Sequence, residues 1–581
     1  MGIRHLETFI YSQVPNGHTE VNIADEIRKY FDSAAVPNPP APIIVVDLMS
    51  LYHPLSHSDP EGLLCGGRFN KITALLESFF SKLTNLGAKL VFFYDGPVQD
   101  MKYDTWLKRQ GDKYNQLIEI IDSVDKGLDL KSLIKLYGRN IPAQTNYPLR
   151  QVARKHGIFI TSIAKECDQE LASYASRVQA LALLSNDTDF MIYKGFWRYW
   201  SSKSINFETL STMEYNRLAL VRHLGLKFNQ MPLFATLAGN DVIQYDEVHH
   251  FHRRLGRHRE KFYNLARFVQ QHSERRTEHE LWNILREVFG RASNKKLMQR
   301  FRESLNFYTL EKNHPQLNPT GDDFLDLLLK QEDTFSYQIY TGHPYNITTN
   351  FTDMRTNEFG SQYPILVVPV ILRKAGIVLY HLKEQQKFSR CSLVVKLFHN
   401  TPHDFHKLSV YFPDRSVPLY ILRDPTMSAD LEDIKLKLFC WIASDKLDHR
   451  SFQPVPVIFR PTVLTLYYLM ENRVLQLFEA DLFLQVAYDV EYSTYDIDNV
   501  PYPNRLDSRA FRVVFMYQKI YKHFSSSYDL VGLNGDNFFG RCPMFDGVLF
   551  HHRYSEWSRQ CGDMTESIKS WRIYETLHQN D

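Results

Sequence analysis

Cysteine is scarce in this 581-residue chain, and the six present form no metal-type pair. Cys65, Cys167, Cys391, Cys440, Cys542 and Cys561 are scattered, with no CxxC among them. That argues against structural zinc and a disulfide scaffold, and fits a reducing compartment. No run of about 20 apolar residues occurs, so no transmembrane helix is expected. The opening residues lack the apolar core of a signal peptide. Leu6 stands where a myristoylation signal needs Ser or Thr. An excess of either charge is missing too: 68 Lys and Arg face 66 Asp and Glu, a formal net charge of +2. Any nucleic-acid surface must then be a local basic patch rather than a global field. GxSxG, Walker and HExxH patterns are absent, as are internal repeats and low-complexity tracts. The expectation is an intracellular protein with no membrane partner. The sequons at Asn346 and Asn350 then never meet the glycosylation machinery.

What is present is ample material for cores. Hydrophobic residues make up 44% and aromatics 14% of a chain too long for a single core, so two or three domains are expected. Over the first 260 or so residues, strand-like runs alternate with amphipathic stretches. Residues 70–86 space Ile72, Leu75, Leu76, Phe79, Phe80 and Leu83 as a helix face, between the runs 43–46 and 90–94. That βαβ order predicts a doubly wound, mainly parallel α/β sheet. Residues 100–124 are charged and helical in propensity, and 166–177 predict another helix. A helical extension is expected over 261–313. HPQLNPTGDD opens a linker over 314–334. Residues 335–581, including the apolar segments 364–382, 391–398 and 455–490, are expected to be largely helical.

Seven acids carry the chemistry. Asp47, Asp95, Glu166, Asp168, Asp187, Asp189 and Asp241 sit at or just beyond the ends of apolar runs. These runs are IIVVD, LVFFYD, IFITSIAKECD, ALALLSNDTD and FATLAGND. A parallel sheet gathers the carboxyl ends of its strands on one edge, where open α/β folds place their sites. A single Asp after a strand is commonplace as a helix N-cap; five strand-end positions each bearing acid are not. Carboxylates brought together repel one another, which raises pKa values unless cations intervene. An all-oxygen donor set with no Cys or His suits two Mg²⁺ or Mn²⁺ ions rather than zinc or iron. Two such ions are suited to phosphodiester displacement. The expected function is a divalent-metal-dependent phosphodiesterase.

Basic residues support that expectation. Lys102, Arg109 and Lys113 fall at i, i+7 and i+11, on one face of a predicted helix with Lys108 beside it. They would hold backbone phosphates and steer a strand toward the metals. A second basic stretch runs through His252, Arg253, Arg254, Arg257, His258, Arg259 and Lys261. Arg253, Arg257 and Lys261 are spaced to form a stripe along a phosphate backbone, or equally a solvated basic face. The His patch around His249, His250 and His252 lacks Cys and regular spacing, and Gly66–Gly67 and Gly239–Asn240 read as turn chemistry.

At these residues the chain resembles the flap-endonuclease/XPG-type nucleases, a PIN-like superfamily with a helical arch. MGIRHLETFI is similar to their Met-Gly-Ile-x-Gly-Leu opening. Asp47 in VVDLMSLYH and Asp95 in FFYDG match the first two acids. ECDQELA, SNDTD and LAGND match the later motifs. Within the superfamily, CGGRFN, WLKRQGD, MPLFATLAGND and FRPTVLTLYYLMENR look like the asteroid branch and the related constitutive coactivators of PPAR-gamma, asteroid above all. The resemblance covers residues 1–260. It implies a structure-specific endonuclease acting on DNA or RNA, with Lys102 and Arg109 as the two catalytic basic residues of the arch. It also implies an intracellular location, with the nucleus favoured over the cytoplasm. Coactivator-type relatives supply the alternative, a non-catalytic nucleic-acid-binding or signalling scaffold with protein partners at its C-terminal region. The glycine-rich hairpin that follows the last Asp in the nucleases is replaced here by VIQYDEVHHFHRRLGRH.

Overall fold

The structure is a computed structural model that describes residues 2–34, 36, 38–138, 145–257, 260–273, 277–290, 293–310, 319–348, 352–355, 362–387, 392–398, 405–534, 541–560 and 562–578. Two compact units divide it. The first comprises Met1–Pro54, Leu75–Lys108 and Val152–Asn318; the second comprises Leu55–Ala74, Arg109–Gln151 and Pro319–Asp581.

In the first unit, seven strands form one sheet: β1 (His18–Asn22), β2 (Ile43–Asp47), β3 (Lys89–Asp95), β4 (Gly157–Ser162), β5 (Ala182–Ser185), β6 (Arg198–Ser201) and β7 (Ser211–Tyr215). Their order is β1-β7-β6-β5-β2-β3-β4. β6, β5, β2, β3 and β4 run parallel, and β7 and β1 add an antiparallel edge. The central strands are apolar on both faces: Val45, Val91, Phe92, Leu183 and Leu184 are all fully buried. Helices on both sides of a parallel sheet require such runs. The α/β expectation holds.

Three sequence expectations need correction. FATLAGND is not a strand. Met231–Ala238 is a helix, started by Pro232 in its first turn and ended at Gly239 with φ 92°. A Cβ on Gly239 would stand 2.7 Å from the Tyr245 backbone, so only glycine fits there. Second, the compact unit does not stop at residue 260. Leu265, Phe268, Ile284, Leu285 and Phe301 share one core with Val45, Val91, Leu183 and Phe234, so the segment 261–313 is part of that core where described. Third, the expected linker 314–334 contains the helix Asp323–Lys330 and reaches the helix Thr334–Thr341; residues 314–318 lie outside the described set.

The second unit is largely helical, as expected, with long helices at Ser508–Leu530, Gln362–Val378, Ser428–Ala443 and Leu477–Tyr492. It also holds a small sheet the sequence reading missed: β8 (Tyr345–Thr348), β9 (Ser392–Phe398) and β10 (Phe405–Ser409), in the order β10-β9-β8. The alternating SLVVKLF is strand, not helix. The charged segment 100–124, expected to be helical, forms the helix Tyr103–Asp125 after a short 3-10 turn, and the helices Leu130–Tyr137 and Asn146–His156 follow it. Among the described residues, no helix is long and apolar enough to cross a membrane.

Candidate metal centre

Each acid is delivered by a local device at one edge of the first unit. Asp47 ends β2 where the chain tightens into the 3-10 turn Leu48–Leu51. Asp95 ends β3, and Gly96 follows because a Cβ there would collide with the Ser162 carbonyl at 1.8 Å. Glu166 occupies the N-cap position of helix Cys167–Arg177, and Asp168 lies in its first turn. Asp187 caps the turn Thr188–Met191, its Oδ1 accepting from Asp189 N at 2.9 Å. Asp241 follows Asn240, whose side chain clamps the loop after Met231–Ala238. Its Oδ1 accepts from Val242 N and Ile243 N, and its Nδ2 donates to Ser304 Oγ at 2.8 Å and Tyr308 OH at 3.1 Å.

One hydroxyl ties two of the acids together. Ser185 Oγ donates to Asp47 Oδ2 at 2.6 Å and accepts from Asp187 N at 3.0 Å. Burial raises the Asp47 carboxyl well above its usual range, with Asp95, Asp168 and Asp187 adding repulsion. Burial also raises Asp168, where Lys102 opposes the rise and Glu166 and Asp241 add to it. Asp187 is raised by burial and by Asp168 and Asp241; Asp189 is raised well above normal by burial, Asp187 and Asp241. Asp47, Asp168, Asp187 and Asp189 thus each sense other carboxylates at this edge.

Lys102 places a cation among them. Its Nζ lies 2.5 Å from Glu166 Oε1 and 2.5 Å from Asp168 Oδ2, 4.7 Å from the Phe307 ring centre. Burial opposes its charge, but Asp168, Glu166 and Asp241 outweigh that and raise its pKa well above normal. Lys102 precedes the helix Tyr103–Asp125 in a 3-10 turn. The i, i+7, i+11 spacing assumed an α-helix that already includes Lys102, whereas the α-helix begins at Tyr103. Lys108 belongs to the first unit and pairs with Asp246 at 3.3 Å. Arg109 and Lys113 belong to the second unit.

The donor chemistry fits divalent cations. Every candidate ligand is a carboxylate, and Asp189 Oδ2 is buried with no hydrogen-bond partner. A buried carboxylate oxygen left unsatisfied is costly unless a cation or proton meets it. Among the described residues, however, no three acidic, His or Cys side chains are closed around a single point. Lys102 bridging Glu166 and Asp168 accounts for part of that openness.

Three further residues contribute to the site. Tyr308 OH donates to Asp189 Oδ1 at 2.8 Å from a position 119 residues away, which no motif signals. Ser185 was visible as the Ser of SNDTD. Gly2 packs so closely on the site that a Cβ would stand 2.3 Å from Asp187 Oδ1. Tyr308→Phe is expected to destabilise the metal-free protein by about 1–3 kcal/mol, the usual effect of orphaning a buried polar group. Chemical denaturation in EDTA measures this, and an unchanged midpoint would show that the hydroxyl does nothing for Asp189.

The second basic stretch is not a continuous surface stripe. Arg253 and Arg257 are exposed, but Lys261 is 6% exposed. Its Nζ donates to Ala238 O at 3.0 Å, and burial, aided by Arg4, lowers its pKa to about 7. His252 is buried too, with Nε2 2.6 Å from Leu237 O. Together with Tyr245, Asp246, His249, Arg253 and Gly256 they line a cavity of about 270 Å³. His258 and Arg259 lie outside the described residues.

With this geometry in place, comparison with known proteins is informative. Residues 224–312 match the model of the FAM120A-like domain. The chain is 32% identical over 249 residues to the constitutive coactivator of peroxisome proliferator-activated receptor gamma of Bos taurus, covering 42% of this chain and 33% of that protein. It is 25% identical over 179 residues to flap endonuclease 1-A of Sorghum bicolor, covering 30% and 44% respectively. Among solved structures, the catalytic core of Rad2 in complex with a DNA substrate aligns with 58% of this chain and 93% of its own, at 14% identity and a TM-score of 0.30. The chain spans about a third of the length of the first of these curated relatives. Its homologues thus include the constitutive coactivator of PPAR-gamma and its paralogue, and its FAM120A-like match at residues 224–312 lies beside an acid-lined α/β sheet.

Proposed function

We propose that the first unit is a Mg²⁺- or Mn²⁺-dependent nuclease acting on DNA or RNA, endonucleolytic at flaps or single-strand junctions. The observation that supports this reading is the gathering of seven carboxylates, four of them held above their normal pKa, around a single lysine at one sheet edge. A scaffold gains nothing from such repulsion, and a phosphodiesterase uses it to hold cations. Asp47, Asp95, Glu166 and Asp168 would hold one ion; Asp187, Asp189 and Asp241 would hold or orient the second. When bound, such ions supply an acidified water and neutralise charge on the reacting phosphate. The chain's own contribution is placement. Ser185 fixes Asp47 relative to Asp187, Tyr308 fixes Asp189, and Lys102, released from Glu166 and Asp168, offers its ammonium to a phosphate.

Arg253 and Arg257 are the exposed candidates for gripping the nucleic-acid backbone. Replacing both with Ala should flatten the slope of log affinity against log salt by about 2 units, near 0.9 per lost duplex phosphate contact. Adding Lys261→Met should flatten it no further, since that ammonium faces the Ala238 carbonyl. An unchanged slope in the double variant would place the grip elsewhere.

The second reading is a non-catalytic nucleic-acid-binding or coactivator scaffold, with protein partners on the second unit and a nuclear location. The open arrangement of the carboxylates and the names of the relatives favour it. Titration calorimetry with Mn²⁺, together with cleavage assays on labelled flap, hairpin and single-stranded substrates, separates the two. Acid-dependent binding with cleavage supports the nuclease. Binding silence with intact folding removes it.

A further inference from the structure

The cavity beside the second basic stretch is lined by more cations than anions. Its volume of about 270 Å³ falls at the small end of ligand pockets, and its lining belongs wholly to the first unit. Most of that lining comes from the helix Tyr245–Leu255, and Lys261 begins the next helix, Lys261–Gln270. Gly256, at φ 139°, ends the first of these helices and adds no side chain to the space. Lys261 Nζ is 4.6 Å from the centre of the Tyr245 ring, and Arg4 Cζ is 5.4 Å from the same centre. Asp246, Arg253 and Gly256 are exposed, so the cavity is open to solvent.

The charges in the lining do not cancel. Asp246 is paired with Lys108, outside the lining, at 3.3 Å. Among the described residues, neither Lys261 nor Arg253 has a carboxylate at ion-pair distance. Lys261 Nζ meets Ala238 O, and His252 Nε2 meets Leu237 O, the ordinary use of basic groups at a helix C-terminus. That carbonyl engages one of the three ammonium hydrogens and supplies no counter-charge. Burial, aided by Arg4, accordingly lowers Lys261 to about 7. Capping alone needs neither a cavity beside the lysine nor a second cation lining it.

We propose that this cavity binds a small hydroxyl-bearing phosphate monoester, its phosphate held between Lys261 and Arg253. Such a phosphate carries about 1.5–2 negative charges near neutral pH and offers three acceptor oxygens. Two cations without carboxylate partners match that charge, whereas a carboxylate ligand would leave one of them unmet. The remaining ammonium hydrogens and the guanidinium fork supply the donors. His249 supplies the complement to the organic part. Its Nδ1 lies 2.7 Å from Asp246 O, and a carbonyl can only accept, so Nδ1 carries the proton. In the neutral ring Nε2 is then the acceptor for a ligand hydroxyl. Inorganic phosphate would match the charge and leave that acceptor unused. Sugar phosphates and nucleoside monophosphates share the required chemistry.

The test is calorimetry on the full chain in phosphate-free buffer at pH 8, with ribose 5-phosphate, adenosine 5′-monophosphate, inorganic phosphate and uncharged adenosine. At least one of the two esters should bind below ~1 mM and more tightly than inorganic phosphate or adenosine. Binding of both assigns the site to the sugar phosphate; binding of the nucleotide alone assigns it to a nucleoside monophosphate. Arg253→Gln, at an exposed position, should fold normally and bind at least ~10-fold more weakly. The charged and titratable groups around Lys261 are Arg4, Tyr245, Asp246, His249, His252 and Arg253. A bound dianion raises Lys261 from about 7, so at pH 8 binding should take up a proton, read from the dependence of the heat on buffer ionisation. Lys261→Met should lose both the binding and the proton uptake. No binding of either ester, equal binding of inorganic phosphate, or binding without proton uptake overturns the site. Displacement of the ester by a 5′-phosphorylated but not an unphosphorylated oligonucleotide would assign the cavity to a strand end and overturn a free ligand. Asp187→Asn should bind the ester like the parent, which keeps this result separate from the nuclease reading.

Discussion

Asp187→Asn is expected to reduce metal-dependent cleavage ~10³-fold or more while making the metal-free protein more stable. The first effect follows from removing a ligand whose cation stabilises several kcal/mol of transition-state charge, at 1.4 kcal/mol per tenfold. The second follows from electrostatics already present in the folded chain. Burial and neighbouring carboxylates raise Asp47, Asp168, Asp187 and Asp189 above the ordinary Asp value of 3.8. A carboxyl raised on folding contributes stability that is fully present below the unfolded pKa and is lost as pH climbs through the folded one. Metal-free protein should therefore lose stability as pH rises above about 4, and saturating Mg²⁺ should restore it. In Asp187→Asn one charge is gone, so the decline should be shallower. The amide keeps its Oδ1, which can still accept from Asp189 N, so the turn should survive. Denaturation midpoints at several pH values, with EDTA or Mg²⁺, measure all of this. A variant that cleaves like the parent ends the nuclease assignment. A variant less stable than the parent in EDTA ends the repulsion argument.

The parts of the site that were legible in sequence are those where local pattern and tertiary role coincide. IIVVD and LVFFYD are short β-branched or aromatic runs between polar segments, and a strand buried on both faces has that composition. Their terminal acids then fell on the sheet edge by topology alone. FATLAGND misled because a short helix buried on all sides is apolar all round, leaving no 3.6-residue period to read. All residues of Met231–Ala238 except Pro232 are buried. The antiparallel edge strands HTEVN and STMEY escaped notice for the reverse reason: their half-exposed faces are polar. Tyr308 and the ion pairs of Lys102 were invisible because they depend on how helices from distant segments meet, which no spacing rule encodes. The unit boundary failed similarly. Phe268, Ile284 and Phe301 look like any amphipathic helix face until the sheet they cover is known.

Lys102→Met should tighten Mn²⁺ binding and slow cleavage together, a pair of effects that a purely structural lysine would not produce. In the metal-free protein the Lys102 ammonium bridges Glu166 and Asp168 at 2.5 Å each, so an incoming cation must displace those bonds and tolerate a like charge nearby. A unit charge at about 4 Å in a partly buried setting is worth up to ~4 kcal/mol, and solvent relaxation takes back much of that. Relief of even a third corresponds to roughly tenfold in affinity. Calorimetry should be done at pH 8, well above the ordinary carboxylate range. Without metal, the variant should unfold earlier than the parent, because the acids then share an edge without the ammonium that bridges Glu166 and Asp168; with metal the gap should close. Cleavage should nevertheless fall by ~10²-fold, since the freed ammonium of the parent is the group offered to the phosphate. Lys102→Arg should retain the ion pairs and much of the metal-free stability. Weaker Mn²⁺ binding in Lys102→Met than in the parent would mean that the lysine supports the metal centre instead of competing for it. The openness of the carboxylates would then be a property of the backbone, and the scaffold reading would gain accordingly.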